Sequence, residues 1–207
     1  MKTVIISIPM RKPEKVSKLL YSVEGNKTIE YNKEICCPVH AVLANTLKKD
    51  EEVKIIYILT TGKHSSYKEN ADIFKAELEE INKKIGAKLR YETIEIKFRP
   101  TKETYQKILT ELTEKIPDNA EIYADITFGY KPATVSIFCA LKFAEEFREA
   151  LVQYIIYGKV EFDENEEKDC PVIYDITSLY YLFNLMGSMR TTDAKTASKM
   201  LNDFFSI

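Results

Sequence analysis

The stretch VKIIYILTT (53–61) is apolar and largely β-branched, the pattern of a strand covered on both faces rather than on one. A strand of that kind needs a layer of helices above it and another below, and the sequence supplies both in alternation. KTVIISI (2–8), ended by Pro9, AEIYADITF (120–128) and LVQYIIYGKV (151–160) read as further buried strands, and KLRYETIEIK (88–97) as a less regular one. Between them lie helical segments: PVHAVLANTLKK, opened by Pro38; 65–86, with Ile73, Leu78, Ile81 and Ile85 at helical spacing and a stop at Gly86; 101–116, opened by Thr101; and the apolar run after Lys131. Residues 18–32 read as two short strands around Glu24-Gly25-Asn26. CPVIYDIT (170–177) reads as a returning strand after an acidic, solvated hairpin tip at 161–169. Two helices close the chain. The expectation is an α/β, Rossmann-like domain: a mostly parallel sheet with helices on both faces, a late β-hairpin and C-terminal helices. It spans 1–190, with a short helical tail over 191–207.

The 207 residues fit one such domain, and 45% hydrophobic with 30% charged residues excludes a disordered or low-complexity chain. A net charge of −2 provides no basic field for long DNA or RNA, though a local pocket can still be positive. Cys36, Cys37, Cys139 and Cys170 form no CxxC pair and have no histidine at ligand spacing. They read as reduced, mostly buried thiols of a cytoplasmic protein, with no metal and no cofactor expected. No apolar run is long enough for a membrane span.

In an open α/β sheet a ligand binds beyond the carboxyl ends of the strands. Each such end is unusually polar: SIPMRKPEK after the first strand, LTTGKHSSYK after the strand at 53–59, YGKV and YDITS after later strands, and DITFGYKP after the strand at 120–126. In the last, Thr127 can cap the turn, Gly129 permits a positive φ, and Lys131-Pro132 opens a helix, so free N–H groups and a cation gather as at an anion site. Thr60, Thr61, Lys63, His64, Ser65 and Ser66 line the second mouth. It is no P-loop, because no glycine stands four or five residues before Gly62-Lys63. His64 is either an exposed loop histidine or a functional one, and Arg11 and Lys12 are either a solvated pair or phosphate contacts. Asp175 and Thr177 repeat the D-I-T pattern and read as a helix cap. Tyr180 and Tyr181 fit helix packing.

With Asp125-Ile126-Thr127-Phe128-Gly129-Tyr130-Lys131, the TTGK loop, QYIIYGK and VIYDITSLYYLFNLM in this order, the chain resembles a CARF domain, the CRISPR-associated Rossmann fold that senses cyclic oligoadenylate in type III antiviral systems. The resemblance runs from about residue 2 to 190. It implies a homodimer whose sheet mouths face each other, with a cyclic tetra- or hexa-adenylate in the shared cleft. Phosphates would meet Lys131, the helix start at Pro132 and the loop Thr60, Thr61, Gly62, Lys63, His64, Ser65; adenines would lie against Ser7, Pro9, Met10, Arg11 and Lys12. Asp125, Thr127, Phe128, Gly129 and Tyr130 would build the turn.

Many relatives carry an effector domain after this fold. A HEPN-type RNase needs Arg-x4–6-His, which neither His40 nor His64 completes, and no basic recognition helix marks a winged helix. DNA binding is not expected. Two roles stay open. One is a metal-independent ring nuclease, in which a ribose 2′-OH attacks its neighbouring phosphorus with Lys131, Lys63, Thr127 and His64 as catalytic candidates. The other is a sensor that controls a separate effector protein. An α/β enzyme acting on a small phosphorylated metabolite is the reading from another class.

Overall fold

The computed structural model describes residues 1–62, 67–129, 131–159, 171–190 and 193–204. Its strands are β1 (Lys2–Ser7), β2 (Ser22–Glu24), β3 (Glu52–Thr61), β4 (Lys88–Lys97), β5 (Glu121–Asp125), β6 (Leu151–Lys159) and β7 (Val172–Asp175). The helices are α1 (Val39–Thr46), α2 (Tyr67–Asn82), α3 (Lys102–Lys115), α4 (Lys131–Phe147), α5 (Thr177–Ser188) and α6 (Ala194–Phe204). The seven strands form one sheet in the order β2-β7-β6-β5-β1-β3-β4. Every neighbouring pair is parallel except β6–β7, the expected late hairpin. The fold is thus Rossmann-like α/β.

Strand side chains alternate between the two faces. Val4, Ile6, Ile55, Tyr57, Leu59 and Tyr123 join Val42 and Leu43 of α1 and Phe74 and Leu78 of α2 in one core. Ile5, Ile56, Ile58, Ile122 and Ala124 are also buried but turn the other way, toward α3 and α4, whose inward rows are Ile108 and Leu112, and Ile137, Leu141 and Ala144. β1 pairs with β3 on one side and β5 on the other, while α1 and α4 leave on opposite faces. Strand order therefore reverses between β1 and β5, the point at whose carboxyl ends an open α/β sheet is expected to form its ligand crevice.

Residues 18–32 differ from the expectation of two strands. Only Ser22–Glu24 is a strand, pairing in parallel with β7; after Gly25 (φ +87°) the chain makes a 3-10 turn at Lys27–Ile29. There Asn26 Oδ1 accepts the Thr28 N–H at 3.2 Å, a local bond that competes with a strand ladder. Thr101 caps α3 as expected, accepting from the Thr104 N–H.

Two compact units, Met1–Thr177 and Ser178–Ile207, divide the chain. In the second unit Asp193 caps α6 through the Thr196 N–H (2.8 Å), and Leu179, Phe183, Met186 and Met200 are exposed. No helix among the described residues is long and apolar enough to cross a membrane.

Candidate functional site

Asp125 ends β5 and is completely buried. Register pairs it with Ile6, so its side chain turns to the α1 face. Oδ1 accepts the Thr127 N–H (2.8 Å); Oδ2 accepts the Val39 N–H (2.9 Å) and the Cys37 thiol (3.7 Å). Burial pushes the Asp125 carboxyl up, against the opposing pull of its bonds to Thr127 and Val39 and of nearby His40. Both oxygens are engaged, so Asp125 holds the turn.

Thr127 is likewise committed. Its Oγ1 accepts the Gly158 N–H at 2.8 Å, stitching the loop after β5 to the end of β6. Gly158 is tightly enclosed, for a Cβ there would stand 2.5 Å from Pro38 Cγ and 3.2 Å from Thr127 Cγ2. The second D-I-T segment repeats this arrangement: Asp175 Oδ1 accepts the Thr177 N–H (3.0 Å), and Thr177 Oγ1 accepts the Ile155 N–H (2.8 Å). Both threonines thus bind amides of β6 from opposite sides, which gives Thr177 more than the capping role the sequence suggests.

Gly129 has φ +84°, and a Cβ on it would lie 2.9 Å from Ser7 Cβ. The switch point is therefore closed by a direct approach of the β5 loop to the end of β1, and glycine is required twice over, by conformation and by space. Phe128 lies between two neighbours, with the Phe74 ring at 5.7 Å and the Arg11 guanidinium 5.3 Å from its own centroid. Lys131 and Pro132 open α4 and are exposed.

Around the β1 end, Ser7 and Pro9 are buried, Met10 and Arg11 half-buried and Lys12 exposed. Lys12 faces Glu14 at 3.9 Å, a solvated pair worth little. Thr60 is buried, while Thr61 is exposed and donates to the Ile96 carbonyl (3.1 Å). Gly62 is exposed. Lys63, His64, Ser65 and Tyr130, expected in the site, lie outside the described residues. The expected residues that the structure brings together are Ser7 with Gly129 and Arg11 with Phe128.

What the sequence did not reveal is the support beneath the crevice. Pro38 offers α1 no side-chain cap, yet the amides at the start of a helix need acceptors. Asp125 supplies one to Val39, the first residue of α1, and Glu77 of α2 serves the segment just before the helix, accepting the N–H of Cys36 (2.7 Å) and of Cys37 (3.2 Å), with His40 Nδ1 2.6 Å from its Oε1. Burial pushes the Glu77 carboxyl up, but these bonds and the His40 ring prevail and hold it below its ordinary value. Burial, with Glu77 close by, pushes the Cys36 thiol up to about 12; burial and Asp125 raise Cys37 well above its usual range. Neither thiol is a nucleophile. Among the described residues no cluster of His, Cys, Asp or Glu could hold a metal ion. One signal could have found Glu77: with Asn70 it falls on the same helical row as Phe74, Leu78 and Ile81, a polar interruption of an apolar stripe.

The fold and crevice define an α/β protein with a polar, glycine-closed mouth at its topological switch point and an exposed cation at a helix start. No known family model matches the chain, and no curated protein matches it in sequence.

Proposed function

We propose that the chain binds a cyclic oligoadenylate, cyclic tetra-adenylate first among them, in type III CRISPR antiviral defence. The observation that carries this reading is the D-I-T-x-G-x-K turn at the switch point. Its Gly129 is pressed on Ser7, and Lys131 stands exposed at the first position of a 17-residue helix. A phosphodiester placed there meets a helix N-terminus and an ammonium together. The Arg11–Phe128 pair beside it presents a flat cationic and aromatic surface suited to an adenine.

A ring of near-twofold symmetry suits a homodimer. α4 supplies a contact for one: Val135 (66% exposed), Cys139, Phe143 and Phe147 (72% exposed) form an apolar stripe. Beside it a groove of about 550 Å3 runs against Tyr105 and Leu109 of α3. Pairing of α4 with its copy, N-terminal ends together, brings both Lys131 residues to one cleft.

In the catalytic form of this reading a ribose 2′-OH attacks the adjacent phosphorus. The P–O5′ bond breaks, the proton passes to O5′, and a linear product with a 2′,3′-cyclic phosphate leaves. Lys131 stabilises the charge that develops on the phosphoryl oxygens. Lys63 and His64 stay candidates for the same step, whereas Thr127, with its oxygen engaged by Gly158, serves to hold the turn. The sensor form, without cleavage, is favoured by the exposed apolar side chains of α5 and α6, a face suited to a separate effector.

The test is incubation of the protein with labelled cyclic tetra-adenylate in EDTA, beside Lys131→Ala, with cyclic hexa-adenylate and AMP as further ligands. Linear product that disappears in the variant establishes the ring nuclease. Tight binding of an intact ring establishes the sensor. Binding of AMP without either ring supports an enzyme of small phosphorylated metabolites, and no binding of any ring overturns the proposal.

A further inference from the structure

One row of α2 reaches the segments that surround the crevice. Asn70 Nδ2 donates to the carbonyls of Pro9 (2.9 Å) and Arg11 (2.8 Å), the Phe74 ring meets Phe128, and Glu77 holds the amides of Cys36 and Cys37 just ahead of α1. These residues are spaced i, i+4, i+7, one face of a helix.

Asn70 is the least expected of them. It is completely buried, and its Oδ1 has no hydrogen-bond partner among the described residues. An apolar residue would fill that space without stranding an acceptor, so packing alone does not explain an amide there. Its two donors do. The last ladder bond of this strand end runs from the Ile8 N–H to the Ile58 carbonyl (3.0 Å). Beyond it the chain leaves the sheet, and the Asn70 amide takes the next available carbonyls, two residues apart. Fixing both sets the curvature of the loop and with it the place of Arg11 over Phe128.

We infer that Asn70 is a positioning residue of the crevice: it clamps the Pro9–Arg11 loop so that Arg11 joins the end of β1 to the turn after β5. Its effect on ligand binding rests on the proposed function; the clamp itself does not. Two measurements separate them. The first needs no ligand: trypsin cleavage of the Arg11–Lys12 bond under native conditions, compared among the wild type, Asn70→Ala, Asn70→Ser and Leu78→Val. Leu78→Val loosens the same helix without removing a hydrogen bond. Asn70→Ala is expected to raise the cleavage rate roughly tenfold or more, with the serine variant, which keeps one donor, in between. Leu78→Val leaves it near the wild-type rate at a comparable melting temperature. The serine variant keeps the comparison readable should the alanine variant fail to fold.

The second measurement is the affinity for cyclic tetra-adenylate. Asn70→Ala is expected to weaken it roughly tenfold, and to weaken it no further in an Arg11→Ala background, because Asn70 acts through that loop. Cleavage unchanged in both Asn70 variants, or raised equally by Leu78→Val, overturns the clamp. Additive losses in the double variant overturn the route through Arg11. A wild-type protein that binds no ring overturns the proposed function, while a loosened loop in Asn70→Ala still upholds the clamp.

Discussion

Gly129→Ala, made with and without Ser7→Gly, tests the closure of the switch point. At φ +84° an alanine is strained by about 1–2 kcal/mol relative to glycine. Its Cβ would also stand 2.9 Å from Ser7 Cβ, and Ser7 is buried in the central strand and has no room to retreat. Overpacking of that kind adds about 1–3 kcal/mol. The single variant should therefore lose about 2–5 kcal/mol, where each kcal/mol lowers Tm by about 2–4 °C in a chain of this size. Ser7→Gly removes the opposing carbon and leaves the φ strain, so in its background Gly129→Ala should cost only the first term. The assay is chemical denaturation of all four proteins, read as a double-mutant cycle, with a coupling of about 1–3 kcal/mol expected. Ring affinity measured on the same four proteins should recover in parallel with stability. A cycle without coupling refutes the close approach, and stability restored without affinity would separate this contact from the ligand site.

Glu77→Gln replaces one acceptor oxygen by a donor and strands a buried N–H of Cys36 or Cys37, just before α1. It should destabilise the protein by about 1–3 kcal/mol at pH 7, seen in urea denaturation. Because the folded-state pKa of Glu77 is lowered from 4.5, its contribution is present above that value and is lost as pH falls through the folded pKa. The acid limb of the stability profile should flatten in the variant. Asp125 has the opposite sign: with its pKa raised from 3.8, the folded state holds the proton more tightly, so stability falls as pH rises from 3.8 through the raised value. Asp125→Asn should abolish that fall, and a wild-type profile without it would refute the assignment. If α4 forms the twofold contact, copper phenanthroline should link two copies through Cys139, with Cys139→Ser as control, and Val135→Glu should sediment as a monomer. A wild-type protein that is monomeric at micromolar concentration would refute the dimer.

The alternation of strands and helices was legible because it rests on local periodicity. Ile73, Leu78, Ile81 and Ile85 announce α2 wherever that helix goes, and the apolar run 53–61 demands cover on both faces. The polar mouths were legible too, because the rule that places them needs only the strand ends. At 18–32 the same method failed, since the turn around Asn26 is held by its own side chain and β2 finds its partner in β7, about 150 positions away. Nor does the sequence show the direction in which a polar residue at a mouth turns. The side to which Asp125 turns follows from its register with Ile6, which puts it on the α1 face.

The sequence alone thus determined the α/β class, the late hairpin and the identity of the turn Asp125–Lys131. Only the tertiary structure decided what those residues do. Glu77 meets Cys36 across 41 positions and Asp125 meets Val39 across 86; Gly129 lies against Ser7, and Asn70 holds Pro9 across 61 positions. Periodicity constrains which face of an element is buried, because that follows from the geometry of the element itself. It carries no information on which distant segment supplies a buried polar group with its partner, because that is settled when the sheet assembles and each buried donor must find an acceptor.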